Sequence, residues 1–170
     1  MKHDLGSGDS GETNVLGGRR VMKDSPIVEA LGAVDEASSA VGLARAFMRD
    51  ERRKKLLADC QNALQKVAAE VASAGRGRAS DFDFAAAIAA LESEMARIAS
   101  DVPRPTGFLT PGDAPAEAAL NLARAVVRRA ERASVALAAS AQHFEPAARV
   151  YLNRLSDLLF DMIIAEKAGK

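Results

Sequence analysis

The sequence predicts an all-α fold, a five-helix bundle preceded by a glycine-rich N-terminal loop. Three observations support this class: apolar residues recur at helical spacing, alanine is abundant and tryptophan is absent. Small side chains let neighbouring helices approach closely, which favours helix–helix packing. There is no convincing internal repeat and no alternating pattern that would indicate a β-strand. The predicted helices span residues 26–49, 51–73, 83–99, 114–140 and 146–167.

The first three helices have recognisable boundaries. Ser25 as N-cap and Pro26 at the first helical position predict the start of the first helix. The second helix is amphipathic and is interrupted by the glycines and arginines of residues 75–80. After the third helix, prolines and glycines fill residues 101–112, so this stretch is predicted to be a loop.

The fourth helix is strongly two-faced. Its apolar stripe is predicted to face the core and consists of Leu120, Ala123, Val127, Ala130 and Leu137. Its polar stripe lies nearly opposite and consists of Glu117, Asn121, Arg124, Arg128 and Glu131. Spacings of four and three residues place Arg124, Arg128 and Glu131 on one helix face.

The fifth helix is apolar almost all round, which is typical of a buried helix. Asn153, Asp157 and Asp161 nevertheless repeat at every fourth position. Buried polar groups require partners. These three side chains are therefore expected to contact either a neighbouring helix or another subunit.

Composition excludes several classes of partner. The chain has 23 Lys and Arg against 23 Asp and Glu, so no net charge attracts nucleic acid or anionic lipid. No apolar run reaches the ~18 residues of a membrane span, and no secretory signal is visible. The single cysteine, Cys60, is expected to be a packing residue, and its lone occurrence favours a cytoplasmic location.

The N-terminal loop has the composition of a phosphate-binding segment. Gly8 and Gly11 allow backbone N–H groups to approach a phosphate, while Thr13 and Lys23 add a hydroxyl and a positive charge. It is not a Walker loop, because no Gly-Lys-Ser/Thr follows. A disordered N-terminal tail is the alternative interpretation.

Four arginines lie within residues 124–132, which on an uncharged chain indicates a local anion site. Guanidinium groups bind polyphosphate oxygens bidentately. The alternative is a solvated face on which Glu131 neutralises its neighbours. Asp35 is either a partner of one of these arginines or an ordinary surface carboxylate.

Phe108 and the two histidines are predicted to have structural or surface roles. Phe108, in the proline-rich loop, is by its position alone an aromatic that anchors the loop in the core. His3 and His143 lie far apart and are expected at the surface. No Cys/His spacing suits a metal, so no metal site formed by side chains is predicted.

Taken in order, these segments resemble the PduO-type ATP:cob(I)alamin adenosyltransferases. The similarity covers nearly the whole chain, and its strength lies in the order of the motifs. They are Gly-Asp-x-Gly-x-Thr at 8–13, Val-x-Lys at 21–23, Val-Glu-Ala-x-Gly-x-Val-Asp-Glu at 28–36, a Phe-containing Pro-Gly loop at 108–112, Arg-Arg-Ala-Glu-Arg at 128–132 and Asn-Arg-Leu-Ser-Asp at 153–157.

The resemblance implies one domain over residues 1–170, with an ATP-binding loop at 1–25 and a helical bundle at 26–168. It implies a homotrimer with active sites between adjacent subunits. The implied reaction transfers the 5′-deoxyadenosyl group of ATP to the cobalt of cob(I)alamin and releases triphosphate. Mg²⁺ is implied as a cofactor bound through the ATP phosphates. The corrinoid is itself the nucleophile, so the protein contributes positioning and charge stabilisation.

The resemblance also assigns roles to the matching residues. The triphosphate is expected to be enclosed by Gly8, Asp9, Gly11, Thr13 and Lys23. The rest of the ATP site is expected to comprise Arg128, Glu131, Arg132 and Asn153.

Four residues are implied in catalysis. Asp35 and Arg124 resemble a pair at the subunit interface, and Arg128 resembles an ATP-binding arginine. Phe108 resembles the aromatic that lies under the corrin and displaces its lower ligand, which eases reduction of the cobalt.

The sequence departs from the family pattern near both substrates. Leu5 and Gly6 replace a threonine and a basic residue, and Ile27 replaces an arginine. Ala37-Ser38 replaces Leu-Asn, Asp113 stands in the Pro-Gly-Gly loop, and Asn121 replaces a histidine. These changes leave two alternatives to an active enzyme: a diverged protein that binds ATP or corrinoid without efficient turnover, and a helical interaction protein whose arginines form interface salt bridges.

Overall fold

The computed structural model describes residues 6, 8–16, 18–74, 76, 79–140 and 144–169. Five helices follow a short β-hairpin, which confirms the predicted helical bundle. Each helix boundary lies within two residues of its predicted position. The elements are β1 (Glu12–Val15), β2 (Arg19–Met22), α1 (Pro26–Phe47), α2 (Glu51–Ala72), α3 (Phe84–Asp101), α4 (Pro115–Ser140) and α5 (Pro146–Lys167).

The hairpin corrects the prediction that the N-terminal segment contains no strand. Strands β1 and β2 pair antiparallel, with Thr13 opposite Val21. Val15 is buried in the core and Val21 packs against it, so the hairpin is held by burial as well as by its ladder. The alternative of a disordered tail is wrong for the described residues of this segment.

Helix starts use the predicted signals with one difference. Pro26 occupies the first turn of α1 and Ser25 is its N-cap, but the Ser25 side chain makes no capping hydrogen bond. Asp50 accepts from the Arg53 N–H to cap α2, and Asp83 accepts from the Ala86 N–H to cap α3, both at 2.9 Å.

The helices pack in the spatial order α2, α1, α4, α5, α3, since these are the neighbouring pairs that make extensive contacts. The apolar stripe predicted on α4 is confirmed, because each of its five residues is at most 4% exposed. Helix α5 is buried along most of its length, as its composition predicted. Cys60 is buried in the same core, which confirms its expected packing role.

An ion-pair network centred on two buried residues joins the start of α2 to the second half of α3. Glu94 is buried and accepts from Arg97 at 2.6 Å and from Arg52 at 2.9 Å. Buried Arg53 lies 3.8 Å from Glu94 and 3.3 Å from Glu166 of α5. Removal of Arg53 or Glu94, the two buried members, would leave a buried charge with fewer partners, so these ion pairs hold α2, α3 and α5 together. Within the described residues, every helix lacks the length or the apolar character that a membrane span requires.

Candidate functional site

The glycine-rich segment forms consecutive tight turns that lead into the hairpin. The Asp9 N–H donates to the Gly6 carbonyl at 3.1 Å, and the Gly11 N–H donates to the Gly8 carbonyl at 3.2 Å. Gly11 has a φ of +84°, a conformation that L side chains rarely adopt. The backbone conformation of this turn therefore requires glycine at position 11.

Lys23 lies against this turn. Its N–H donates to the Gly11 carbonyl at 2.8 Å. A Cβ atom placed on Gly8 would lie 3.1 Å from the Lys23 ammonium nitrogen, so glycine leaves room for the cation. The structure therefore brings Gly8, Gly11 and Lys23 together, with Asp9 exposed beside them and Thr13 half-buried at the start of β1.

The arginine face of α4 forms a small pocket of about 250 Å³, lined by Arg128, Glu131, Arg132 and Val135. Asn153 of α5 donates to the Glu131 carboxylate at 3.1 Å, so the structure places the predicted Asn153 at this pocket. Arg132 donates to the Arg128 carbonyl at 3.1 Å. Among ion pairs between described residues, none involves Arg128 or Arg132, so no direct ion pair joins Glu131 to either arginine.

The other arginines of α4 have different partners. Arg129 forms an ion pair with Glu36 of α1 rather than with Asp35. Asp35 is exposed and takes no part in the ion pairs of the described residues. Arg124 donates to the Asn121 side-chain oxygen at 3.1 Å and lies over the Phe160 ring, 5.9 Å from its centre. Asp35 and Arg124 are thus not paired within one chain.

A larger cavity of about 590 Å³ lies between the proline-rich loop, α4 and α5. It is lined by Pro105, Thr106, Gly107, Phe108, Leu109, Pro111, Glu117, Asn121, Arg124, Phe160 and Ile163. Phe108 lies on this cavity and is fully exposed, so the expectation that it anchors the loop in the core is wrong. Its neighbour Leu109 is half-buried against the core and provides the apolar anchor instead.

Glu117 is a cavity residue whose role the sequence did not reveal. It belongs to the polar stripe predicted on α4, and it is 1% exposed. Its Oε2 atom accepts from the Gly112 N–H at 2.8 Å and from the Asp113 N–H at 3.0 Å. Glu117 is the third residue of α4, a position from which a carboxylate commonly reaches back to the preceding turn, and that position was the available signal. Lys167 of α5 pairs with Asp113 and lies 4.0 Å from the second Glu117 oxygen.

The polar stripe of α5 finds its partners inside this chain. Asn153 contacts Glu131, Asp157 accepts from Arg154 at 3.3 Å, and Asp161 pairs with Arg104 at 3.3 Å. Asp161 is 3% exposed, and burial raises the pKa of its carboxyl. These partners lie on α4, on α5 itself and in the loop before α4, so only Asn153 has the contact to a neighbouring helix that the sequence predicted.

The departures from the family pattern differ in their surroundings. Ile27 is buried in the core, and the Ser38 carbonyl accepts from Gln61 at 3.1 Å. Asp113 and Asn121 make the contacts described above with Lys167 and Arg124. Leu5, His3 and His143 lie outside the described residues.

The described residues contain no group of three His, Cys, Asp or Glu side chains arranged to hold a metal ion. The thiol of Cys60 is equally unsuited to chemistry, because burial raises its pKa to about 12.

This helical bundle carries two pockets along α4: one with two arginines that form no ion pair to described residues, and a larger, partly apolar one. Such an arrangement is typical of proteins that bind an anionic ligand and a second, bulkier one. A family model described as cobalamin adenosyltransferase matches residues 4–166. The chain belongs to the cobalamin adenosyltransferase family.

Curated relatives and solved structures agree with this assignment. The corrinoid adenosyltransferase of Citrobacter freundii is 36% identical over 95% of this chain and 92% of its own. Corrinoid adenosyltransferase PduO of Salmonella typhimurium is 36% identical over 94% of this chain, which spans only 48% of that longer protein. A variant PduO-type ATP:corrinoid adenosyltransferase from Lactobacillus reuteri, complexed with cobalamin and ATP, superposes with a TM-score of 0.90 at 27% identity, covering 98% of this chain and 91% of the other.

Proposed function

We propose that this protein transfers the 5′-deoxyadenosyl group of ATP to the cobalt of cob(I)alamin, giving adenosylcobalamin and triphosphate. A Co–C bond forms at the 5′ carbon of the ribose, and the bond from that carbon to the triphosphate oxygen breaks. Both electrons of the new bond come from the reduced cobalt, so no protein nucleophile is required.

The observation that carries the proposal is the placement of two pockets along one helix. Helix α4 presents Arg128 and Arg132, free of ion pairs to described residues, and four residues before Arg128 it presents Arg124 to the larger cavity. An anionic nucleotide suits the first pocket and a large, partly apolar macrocycle suits the second.

We assign ATP to two groups of residues. The turn of Gly8, Asp9 and Gly11, with Thr13 and Lys23, would bind the triphosphate, because the Lys23 ammonium lies at this turn and Gly8 leaves room beside it. The pocket of Arg128, Glu131 and Arg132, with Asn153, would hold the remainder of the nucleotide. Arg128 would also stabilise charge that develops as triphosphate leaves.

We assign the corrinoid to the larger cavity, with Phe108 placed against the lower face of the macrocycle. The Phe108 ring is fully exposed on the cavity and is therefore free to contact a ligand there, which supports this role.

We further propose a homotrimer in which Asp35 of one subunit pairs with Arg124 of the next. Support comes from the exposure of Asp35 and the lack of an Asp35–Arg124 pair within the chain. The active site would then be completed between subunits.

Mg²⁺ fits the proposed site only as an ion bound to the ATP phosphates, because no described cluster of side chains would hold it. When bound, it neutralises phosphate charge. We also propose that residues 1–170 form one domain, with the ATP-binding loop at 1–25 and the bundle at 26–168. We further propose that the protein is located in the reducing cytoplasm, because its cysteine, Cys60, is free and buried.

The test is an anaerobic absorbance assay with chemically reduced cobalamin, ATP and Mg²⁺. We expect the cob(I)alamin band to decay and the adenosylcobalamin spectrum to grow over many turnovers. Folded protein that binds ATP and corrinoid but gives a flat trace would instead identify a diverged binding protein. A lack of any thermal shift with MgATP would favour the helical interaction protein.

The shared site has its own test. Asp35→Ala and Arg124→Ala are each expected to be inactive alone. Co-expression would restore intact sites at about a quarter of the interfaces of a randomly mixed ring. No recovery from mixed trimers, or a monomer in sedimentation, would refute sites between subunits.

A further inference from the structure

The loop that carries Phe108 has little structure of its own. Residues 103–108 and 110–114 are exposed. The backbone hydrogen bonds among described residues outside helices and strands include none from 103–111. A loop of this kind takes many conformations unless side chains fix it. The position of Phe108 therefore depends on whatever holds the two ends of the loop.

The C-terminal end of the loop is held by Glu117. One buried carboxylate oxygen accepts both the Gly112 and the Asp113 N–H groups, at 2.8 and 3.0 Å. Gly112 has a φ of +118°, so the chain turns sharply at the point where Glu117 holds it. Lys167 supports this contact, because it pairs with Asp113 and lies 4.0 Å from Glu117.

The N-terminal end is held by Arg104, which pairs with buried Asp161 at 3.3 Å. Arg104 itself is 68% exposed in its side chain, so its contribution to the core is small. Both ends of the loop are thus tied to charged residues of α5, and Leu109 alone packs between them.

We propose that Glu117 and the Arg104–Asp161 pair are positioning residues that set Phe108 against the corrinoid. The inference rests on the proposed role of Phe108. Loss of either contact would leave the fold and the ATP pocket in place, and would release the loop so that Phe108 no longer approaches the lower face of the macrocycle in a fixed geometry.

The chain offers a closely matched control. Glu70 is also buried, and it also accepts two backbone N–H groups of a loop, from Ala79 at 3.0 Å and Ser80 at 3.1 Å. That loop lies between α2 and α3, away from the cavity. Glu70→Ala therefore reproduces the loss of a buried carboxylate that binds a loop, without disturbing Phe108.

The experiment compares Glu117→Ala, Glu117→Gln, Arg104→Gln and Glu70→Ala with the unaltered protein. For Glu117→Ala and Arg104→Gln, we expect the corrinoid KM to rise by roughly 10-fold or more, with the KM for ATP unchanged. Glu117→Gln, which keeps an acceptor oxygen, should recover part of the loss. Glu70→Ala should lower Tm without changing either KM.

A spectroscopic readout separates positioning from stability. In the absorbance and EPR spectra of bound cob(II)alamin, Glu117→Ala and Arg104→Gln should reduce the fraction that has lost its lower ligand. Unchanged spectra and corrinoid KM in both variants, or the same changes in Glu70→Ala, would overturn the inference. If the unaltered protein gives no turnover, the proposed function fails, but the spectrum of bound corrinoid still decides the role of Glu117 and Arg104.

Discussion

Arg128→Ala should separate nucleotide binding from stability. The Arg128 side chain is exposed and takes part in no ion pair between described residues, so its removal should change the free energy of unfolding by at most about 0.5 kcal/mol. A lost charge-assisted contact to phosphate is worth about 1.5–3 kcal/mol. At about 1.36 kcal/mol per factor of ten, kcat/KM for ATP should fall by about 10- to 150-fold.

The adjacent residue provides the control. Arg129→Ala removes the same charge from α4, but its side chain pairs with Glu36, with both groups about half exposed at 47% and 55%. Such a pair is worth about 0.2–1 kcal/mol, so Tm should fall by a few degrees at most. The KM for ATP should stay unchanged. Steady-state assays over ATP at saturating cob(I)alamin measure both variants. Equal losses in the two would show that α4 attracts ATP by net charge alone and would refute the assignment of Arg128.

Three other perturbations have defined outcomes. Phe108→Ala should leave Tm unchanged, because the ring is fully exposed, and should lower kcat with the corrinoid. A lower Tm would instead show that the ring contributes to core packing. Burial raises the pKa of Asp161 above its ordinary value of 3.8, so its stabilising contribution is complete below pH 3.8 and is lost as pH rises through the raised pKa. The free energy of unfolding, measured by denaturation at a series of pH values, should therefore fall more across that window in the unaltered protein than in Asp161→Asn. The same pH dependence in both proteins would contradict this. Since burial raises the pKa of Cys60 to about 12, the native thiol should resist alkylation at pH 8 and react on unfolding, as mass spectrometry would detect.

The helices were predictable because their signals are local. Pro26 and Pro146 stand at helix starts, and the stripe from Leu120 to Leu137 has helical spacing. The hairpin was not predictable on the same basis. Its four-residue strands show no clear alternation, and they are stabilised by packing of Val15 and Val21 on a core formed elsewhere in the chain.

The candidate site was predictable in composition but not in arrangement. The glycines around Lys23 and the arginines of α4 were evident from the sequence, and the structure places them as described. Phe108, which was expected to anchor the loop in the core, is exposed, and Glu117 of the predicted polar stripe is buried. Glu117 is buried where it accepts two N–H groups of the turn at Gly112; its position in the first turn of α4 was a local signal for such a contact, but spacing alone did not identify its partners.

Helix α5 contacts both pockets of the proposed site. Asn153 holds Glu131 beside the arginines, while Asp161 and Lys167 hold the two ends of the Phe108 loop. With a rise of about 1.5 Å per residue, these contacts span roughly 20 Å of one rigid helix. Any shift of α5 that accompanies the filling of one pocket is therefore transmitted to the other. Thermodynamic linkage then requires ATP to change the affinity for corrinoid by the same factor by which corrinoid changes the affinity for ATP.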